Sequence, residues 1–572
     1  MEQNGGRAWR VAAVPFLWLL VFFAIPFALI FKISLSDQAR ARPPYLPHLD
    51  LGAGFSGLWS YLSALDLENF ATLLTDGFYV RSYLLSVQTA ILATIITLLI
   101  AYPMAYGLAR APQRLRPILL GLVVLPFWIS FLIRVYAWMA ILKPNGFLDL
   151  LGQAVGLDAG TLALLNSSSA VIIGIVYSYL PFMILPLYSV LDKMDDTLVE
   201  ASRDLGASTL RTFRSITLPL SLPGIYAGCL LAFIPMVGEF VIPDLLGGND
   251  SALIGKTLWT EFFNNQDWPL SSAIAVGMLA ILVIPIVLLQ KAQAKADVRS
   301  QATGNQGGRN WSWFGSSAVT LGLAFIYLPI LLVIVFSFNE SRLVTVWSGF
   351  SFKWYGLLFQ NAQLLASAWL SFKLAFASAT AATILGVMAA LTLVRGRAMT
   401  GHRLFGFLVL APIIIPEMVI GLAFLLLFVA VGLPRGFFTL FLAHATFGMC
   451  FVAATVQARL SGFDTTLEEA SGDLGASHWQ TFWHITFPLI LPGVASGWAL
   501  AFVLSFDDLI ISSLASGPGA TTLPMRLYSQ VRLGVSPEIN AASTLMVLTA
   551  VSVLAAGMWM GRQSNTVKME AT

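Results

Sequence analysis

The chain has 572 residues, of which 57% are hydrophobic and only 11% are charged, and its formal net charge at pH 7 is +3. A soluble domain usually carries roughly 25% charged residues, so these charges are too few to cover a water-exposed surface. The composition excludes a soluble globular protein and predicts an integral membrane protein, and the small net charge does not indicate nucleic-acid binding.

Long apolar runs recur along the whole chain, and a membrane span needs roughly 20 apolar residues. In the first half such runs lie near 13–33, 80–108, 117–140, 169–191, 221–243 and 271–290. In the second half they lie near 315–337, 366–394, 404–430, 439–457, 491–512 and 540–560. The first run has no small-residue cleavage site, so we expect an uncleaved helix. The sequence predicts an all-α membrane protein with about twelve transmembrane helices.

Lys and Arg residues collect in alternate loops, and loops rich in them are expected to face the cytoplasm. The rich loops lie around residues 7–10, 110–116, 193–214, 291–309, 395–403, 459 and 562–568. The opposite loops are thinner in charge, with residues such as Lys143, Lys256, Arg435, Arg526 and Arg532. An even number of spans then places both termini in the cytoplasm. The longest periplasmic loop, 36–79, is a candidate contact for a substrate-binding protein.

A polar stretch divides the chain into two parts. Residues 292–312 contain several glycines and charges but no apolar run, which is typical of a flexible linker. Six predicted spans precede this stretch and six follow it. We therefore predict two six-span halves, residues 1–291 and 313–572, joined by a cytoplasmic linker.

One segment occurs twice, at a constant offset of 269 residues. The first copy, at 200–224, reads EASRDLGASTLRTFRSITLPLSLPG, and the second, at 469–493, reads EASGDLGASHWQTFWHITFPLILPG. The copies are identical at 17 of 25 positions, and polar residues match as well as apolar ones. Shared hydrophobic composition does not explain such a match, so the repeat indicates two homologous halves.

Each copy is expected to form a helix–turn–helix in the loop between the fourth and fifth spans of its half. Gly206 and Gly475 can adopt the left-handed conformation that ends a helix, and Ser208 can cap the helix that follows. Pro219 and Pro223 are expected to stop this second helix and to set the angle of re-entry into the membrane. The alternative is an amphipathic connector at the membrane surface without a partner, which the duplication argues against.

The repeated segment resembles the signature loop, or EAA motif, of permeases of ATP-binding-cassette (ABC) importers. That motif reads Glu-Ala-Ala, three residues, Gly, nine residues and Ile-x-Leu-Pro. Ser202 and Ser471 replace its second Ala, and Phe487 replaces the Leu of the second copy. The resemblance implies a type I ABC importer permease fold, with coupling helices in loops 192–219 and 458–488 that dock into a separate ATPase. It assigns ATPase coupling to Glu200, Ala201, Gly206, Ile216, Pro219, Glu469, Ala470, Gly475, Ile485 and Pro488.

Sequence outside the loop is similar to the permeases of putrescine/spermidine importers. LPFWISFLIRVYAW (125–138) and the stretch 237–269 resemble their first permease, and the stretches 337–342, 410–421 and 504–541 resemble their second. The resemblance implies a fused polyamine permease in the bacterial inner membrane. It also implies two copies of an ABC ATPase subunit and a periplasmic substrate-binding protein as partners. The chain itself would bind no cofactor, since the partner ATPase would use the ATP.

Carboxylates also occur inside predicted spans, where ionisable residues are costly and by default functional. The 269-residue offset places Glu239 at the position of Asp508. Carboxylates that face each other across a pore lined with aromatic rings would suit a diamine. Ordinary packing of the rings, and a structural pair with an arginine such as Arg134, are the alternatives. The predicted substrate pathway comprises Glu239, Asp508, Asp507, Glu417, Trp128, Tyr136, Phe240 and Phe506.

No segment predicts an enzyme active site or a metal site. The five histidines lack HExxH spacing, no GxSxG occurs, and Asp250 stands where a phosphate-binding loop at 250–257 needs Gly. Cys229 and Cys450 lie in apolar stretches and are expected to pack without a disulfide. The alternatives to a polyamine permease are an ABC permease for ferric iron or thiamine, and a twelve-span ion-coupled secondary transporter. The secondary transporter would have no reason to keep two copies of the loop.

Overall fold

The structure is a computed structural model that describes most of the chain: residues 2–48, 59, 61–248, 250–297, 311–341, 347–396, 399–462, 464–533, 537–549 and 551–552. The predicted linker therefore lies largely outside the described residues. The last predicted span, 540–560, lies outside them in part, and the C-terminal basic segment, 562–568, lies outside them entirely.

Most of the described chain is helical, and nine of its helices are long and apolar enough to cross a membrane. At a rise of about 1.5 Å per residue, a helix of roughly 20 residues spans the hydrocarbon core of a bilayer. The prediction of an all-α membrane fold is confirmed. The nine are Val11–Ile33, Gly77–Ala109, Ser168–Leu191, Thr209–Val237, Trp268–Leu288, Trp313–Ser337, Ala362–Arg395, Phe437–Ser461 and His478–Asp507.

Two predicted spans are broken rather than continuous. Helices Arg116–Trp128 and Phe131–Ala154 form a pair bent by 90°, and His402–Ile414 and Glu417–Val431 form a pair bent by 113°. Pro416 lies at the second break and cannot continue a helix, because it lacks the amide hydrogen and clashes with the preceding turn. The first break follows a 3-10 turn that begins with a Leu-Pro pair. The continuous spans predicted near 117–140 and 404–430 are therefore wrong in this respect.

Shorter helices and one small hairpin connect the spans. The strands Asp37–Gln38 and Tyr45–Leu46 pair in antiparallel fashion. The connecting helices are Glu68–Thr75, Asp196–Asp204, Val241–Leu245, Ile254–Phe263, Lys353–Gln360, Thr466–Asp473, Ile510–Ala515 and Leu523–Leu533.

The hairpin belongs to the long loop predicted at 36–79, which we call the insert. The insert folds back on the end of the first span. The Lys32 ammonium lies 4.2 Å from the centre of the Tyr45 ring and 5.3 Å from that of Tyr61. It also donates to the carbonyl oxygen of Pro47 at 3.2 Å. The Asn69 amide donates to two backbone carbonyls at the end of the first span, at 3.1 and 2.8 Å. These contacts tie the insert to that span.

The described residues form two compact units, and each unit draws on both sequence halves. One unit comprises 2–74, 261–276 and 362–526, and the other comprises 75–260, 277–361 and 527–552. Within the first unit, the indole nitrogen of Trp18 donates to the Thr446 hydroxyl at 2.9 Å. Within the other unit, the Tyr177 hydroxyl donates to the carbonyl oxygen of Ile326 at 3.1 Å. The first helix of each half thus packs with the other half, while the predicted boundaries of the halves stay a prediction.

Small residues allow helices within a unit to approach closely, as is usual where helices pack in lipid. A Cβ added to Gly386 would lie 2.7 Å from that of Val452, between helices Ala362–Arg395 and Phe437–Ser461. A Cβ added to Gly107 would lie 2.4 Å from the carbonyl oxygen of Gly315, between helices Gly77–Ala109 and Trp313–Ser337. Only glycine fits at these positions without displacing a neighbouring helix.

We predict that Gly107→Val lowers stability, because the added side chain would force helix Gly77–Ala109 away from helix Trp313–Ser337. Overpacking of this kind costs about 1–3 kcal/mol. Gly77→Ala is the matched control on the same helix, since an added Cβ there meets nothing within 4 Å. Thermal unfolding of the detergent-solubilised protein, followed by intrinsic fluorescence, should show a lower midpoint for Gly107→Val only. Equal midpoints for both variants would contradict the proposed close contact.

Candidate functional site

The first copy of the repeat folds as two short helices joined by a tight turn. Helix Asp196–Asp204 ends before Gly206, whose φ of +76° is left-handed. The Ser208 hydroxyl then accepts a hydrogen bond from the backbone of Arg211 at 3.4 Å and caps helix Thr209–Thr212. We call residues 196–217 the first elbow.

The second copy, residues 466–486, which we call the second elbow, repeats this geometry. Helix Thr466–Asp473 is followed by Gly475 with a φ of +82°. The Ser477 hydroxyl accepts from the backbone of Gln480 at 3.3 Å, and the Gln480 side chain accepts from the backbone of Ser477 at 2.8 Å. This reciprocal capping box begins the next helix. The predicted helix–turn–helix, left-handed glycines and serine cap are confirmed.

The predicted stop at Pro219 and Pro223 is wrong. A π turn at Phe213–Thr217 leads without a break into helix Leu218–Val237, so that 209–237 is one continuous helix. The second elbow continues in the same way through the π turn Phe482–Thr486. A π turn widens the backbone and shifts its hydrogen bonding by one residue, which accommodates a proline just beyond it. Each elbow is therefore continuous with the fifth span of its half.

Most of the residues assigned to ATPase coupling lie on the exposed surface of the elbows. Glu200, Ala201 and Gly206 are exposed in the first elbow, and the equivalent Glu469, Ala470 and Gly475 are exposed in the second. Ile216, Ile485 and Pro219 are half-buried, whereas Pro488 is exposed. Their role in coupling stays a prediction.

An exposed leucine marks the tip of each elbow. Leu205 is 87% exposed and Leu474 is 89% exposed, and each stands directly before the left-handed glycine. Sequence reasoning did not single these residues out. An apolar residue kept beside the turn glycine in both copies was the available signal, because an isolated loop gains nothing from exposing it.

The two serines that depart from the family pattern make the same contact in both elbows. The Ser202 hydroxyl lies 2.9 Å from that of Thr212, and the Ser471 hydroxyl lies 3.0 Å from that of Thr481. Each pair joins the two short helices of its elbow across the turn. Alanine, the usual family residue at this position, would not form this bond.

Glu239 lies in the interruption between two helices, just after the fifth span of the first half, and it is 4% exposed. One carboxylate oxygen accepts from the Tyr179 hydroxyl at 2.6 Å. The other accepts from the backbone of Val241 and Ile242 at 3.0 and 3.3 Å. The carboxylate therefore caps the short helix Val241–Leu245.

Asp508 holds the equivalent position in the other unit. Its carboxylate accepts from the backbone of Ile511 at 3.2 Å and of Ser512 at 2.5 Å, and so caps helix Ile510–Ala515. The His444 Nε2 atom lies 3.4 Å from the same carboxylate, and its Nδ1 atom lies 2.7 Å from the Ser505 hydroxyl. Each carboxylate thus follows the fifth-span helix of its half and caps a short helix, whereas their facing each other across a pore stays a prediction.

The other predicted pathway residues have different surroundings. Glu417 is exposed and begins the helix after the second break, and Asp507 is the last residue of the fifth-span helix of its half. Tyr136 is 1% exposed, and its hydroxyl has no hydrogen-bond partner among the described residues. Trp128 and Phe506 are half-buried, the latter stacked on another phenylalanine at 6.0 Å. Their roles in a pathway stay predictions.

Phe240, a predicted pathway residue whose role stays a prediction, is the centre of an aromatic and ionic cluster whose other members sequence reasoning missed. Its ring is fully buried and stacks on Trp259 at 4.4 Å. Nearby, the Tyr528 hydroxyl donates to the Asp244 carboxylate at 2.6 Å, and the Arg532 Nε atom lies 3.6 Å from that carboxylate. An ionisable residue within an apolar run, as Asp244 and His444 both are, was the available signal.

Arg134 is not the partner of the predicted carboxylates. It is 5% exposed and makes no ion pair within the described ranges, and its guanidinium lies 5.6 Å from the Phe131 ring. Glu239 is instead held by a tyrosine and backbone amides. The alternative of a structural pair between Glu239 and Arg134 is therefore wrong.

Three carboxylates in the insert are near enough to one another to hold a metal ion. The ligand atoms of Asp37, Asp66 and Glu68 lie within 4.8 Å of one another, and all three residues are exposed. Asp66 also accepts from the backbone of Glu68 at 2.9 Å, as in an ordinary capping turn. Such acidic groups are common on surfaces without a metal, and the absence of a metal site stays a prediction.

Repeated elbows, paired buried carboxylates and long apolar helices together define a multi-span membrane protein made of two similar halves. The family described as "binding-protein-dependent transport system inner membrane component" matches residues 9–296 and, again, residues 382–564. The chain belongs to this family. It is thus a multi-pass inner-membrane component of a transport system.

Three curated relatives match between 41% and 49% of this chain. The putrescine transport system permease protein PotI of Escherichia coli K12 is 48% identical over 245 residues, 42% of this chain and 87% of the relative. The spermidine/putrescine transport system permease protein PotB of Haemophilus influenzae is 38% identical over 280 residues, which cover 49% of this chain and 92% of the relative. The spermidine/putrescine transport system permease protein PotC of Escherichia coli K12 is 43% identical over 233 residues, which cover 41% of this chain and 88% of the relative. The predicted resemblance to two polyamine permeases in one chain is confirmed.

We predict that Gly206→Val opens the first elbow, because a β-branched residue in the left-handed region costs about 1–2 kcal/mol or more. Gly206→Asn is the matched control, since asparagine tolerates this conformation. Trypsin cleavage at Arg203 and Arg211 should accelerate about 5- to 30-fold in the valine variant, because cleavage follows the population of the open elbow. Cleavage at the unmodified rate in Gly206→Val would refute the role of the turn.

Proposed function

We propose that the chain is the fused membrane permease of an ATP-driven ABC importer that carries polyamines such as putrescine or spermidine into the cytoplasm. The two elbows would dock on two copies of a separate ATPase subunit. A periplasmic binding protein would deliver the substrate, with the insert at 36–79 as its candidate contact. ATP would be bound by the partner, and the chain would catalyse no reaction.

The observation that carries this proposal is the duplicated elbow. Both copies expose the same acid, the same leucine and the same glycine turn, namely Glu200, Leu205 and Gly206 and their equivalents. An exposed apolar tip rimmed by charge is typical of a protein-binding surface. Two similar surfaces suit a partner with two equivalent docking sites, which supports a dimeric ATPase.

The mechanism follows from the continuity between elbow and membrane helix. Because each elbow runs without a break into the fifth span of its half, its displacement would move that span. Closure of an ATPase dimer beneath both elbows would then tilt the two spans and open the pathway to alternate sides. This geometry supports alternating access driven through both elbows. The excess of Lys and Arg in the same set of loops supports a cytoplasmic position for the elbows and both termini.

The substrate assignment rests on the relatives' names and on buried negative charge. Glu239 and Asp508 each lie at the end of a fifth span, and Asp244 lies beside the rings of Phe240 and Tyr528. Carboxylates and aromatic faces attract ammonium groups. An amine with a positive charge at each end suits such a pathway, whereas an oxyanion does not.

Uptake of labelled putrescine into proteoliposomes that contain the chain and its ATPase, with ATP enclosed in the lumen and the binding protein outside, tests the proposal. We expect uptake only with ATP and all components, and co-purification of the ATPase with the chain. Labelled ferric iron and thiamine distinguish the other importer substrates. Uptake driven by an ion gradient without the ATPase would instead support a secondary transporter.

We predict that Glu239→Gln and Asp508→Asn each lower the rate of putrescine uptake about tenfold, because an interaction with a charged group contributes roughly 1.5–3 kcal/mol. The amides keep the volume, and asparagine is also a good helix cap. Binding of the ATPase should be unchanged. Asp158→Asn, which removes an exposed acid, is the control. Normal uptake in both carboxylate variants would remove these residues from the pathway.

A further inference from the structure

An arginine at the end of the second span reaches the first helix of the elbow in both halves. Arg110 directly follows helix Gly77–Ala109, and its guanidinium lies 3.0 Å from the Asp196 carboxylate. Arg395 is the last residue of helix Ala362–Arg395 and lies 2.5 Å from the Glu468 carboxylate. Both acids stand in the first turn of their elbow helix. We call these two ion pairs the tethers.

The tethers join positions that do not correspond in the repeat. The 269-residue offset places Thr465 opposite Asp196, and Val199 opposite Glu468. The acid of the second elbow thus stands three residues further along than that of the first. A contact inherited passively from one ancestral half would use equivalent residues. The contact is present in both halves while its residues differ, which indicates that the connection itself is needed.

Local electrostatics favours each tether at both ends. A cation at the C-terminus of a helix and an anion in the first turn of another each interact favourably with the helix dipole. The first tether is well shielded, because the side chains of Arg110 and Asp196 are only 12% and 15% exposed. Those of Arg395 and Glu468 are 30% and 18% exposed. Partial burial strengthens such charge-assisted hydrogen bonds relative to an ion pair in water.

Side-chain hydrogen bonds hold the two short helices of each elbow together. The Ser202–Thr212 and Ser471–Thr481 bonds join its two short helices. In the second elbow, the Thr486 hydroxyl also donates to Glu468, so that the tether acid of the first short helix is bonded to the π turn that leads into the fifth span. A force on such an elbow reaches the fifth span through the continuous helix and the second span through the tether.

We propose that the two tethers are positioning contacts that carry the ATPase stroke from the elbows to the second span of each half. This inference rests on the proposed function, in which the elbows dock on the ATPase. The second and fifth spans also touch directly, through Tyr102–Ser221 in the first half and Ser378–Ser505 in the second, so without the tethers less of the stroke would reach the second spans. The ATPase would then bind and hydrolyse ATP while less substrate crossed the membrane.

The test is the coupling ratio, the amount of putrescine transported for each ATP hydrolysed, in proteoliposomes that contain the full chain, its ATPase and its binding protein. We expect Arg110→Gln and Arg395→Gln each to lower this ratio about threefold, and the double variant to lower it further, with ATP hydrolysis and complex yield retained. Arg403→Gln is the matched control. It removes an exposed arginine from the start of helix His402–Ile414, which is predicted to face the same side, without touching an elbow.

A charge exchange separates transmission of the stroke from simple stabilisation. Arg395→Glu alone should uncouple transport, and Arg395→Glu combined with Glu468→Arg should restore much of the ratio. An unchanged ratio in the double glutamine variant would overturn the inference, and so would loss of ATPase binding in proportion to transport. Failure of the proposed function is distinguishable, because the unmodified chain would then show no ATP-dependent putrescine uptake at all.

Discussion

The constraint on which the structure depends is the need to satisfy backbone hydrogen bonds where a helix is interrupted inside a membrane. Lipid offers no donors or acceptors, so a break at that depth is tolerated only when protein groups replace the missing bonds. Glu239 and Asp508 do so, because each carboxylate accepts from two backbone amides at the start of a short helix. The same bonds hold a carboxyl group at a defined place, which is how a structural need can also serve a transport pathway.

The duplicated halves have the same backbone geometry at equivalent positions, but different side chains stabilise it. Glu239 is held by a tyrosine hydroxyl, whereas Asp508 lies against the imidazole of His444. The elbow tethers likewise use acids at different positions. Once two halves share one chain, each can adapt to its own neighbours, provided that the backbone path stays the same. The pathway lining is therefore expected to differ between halves, even though the elbows match.

Exchange of first helices explains why the sequence halves are not the structural units. Helix Trp313–Ser337 packs against Gly77–Ala109, where two glycines allow the backbones to meet. Residues 11–33 pack within the unit formed mainly by the second half, where Trp18 bonds to Thr446. Covalent fusion of the halves suits this arrangement, because each half completes the core of a unit to which the other contributes most of the helices.

The sequence by itself determined the membrane fold, the repeat and the conformation of the elbows. These features depend on local properties: apolar length, the left-handed preference of Gly206 and Gly475, and serine caps that reach only two or three residues along the chain. The tertiary structure alone decided the broken spans, the continuity of the elbow helix past Pro219, the exchange of first helices and the partners of the buried carboxylates. Those outcomes depend on contacts between residues far apart in the chain, and no local pattern encodes which distant group will satisfy a given donor or acceptor.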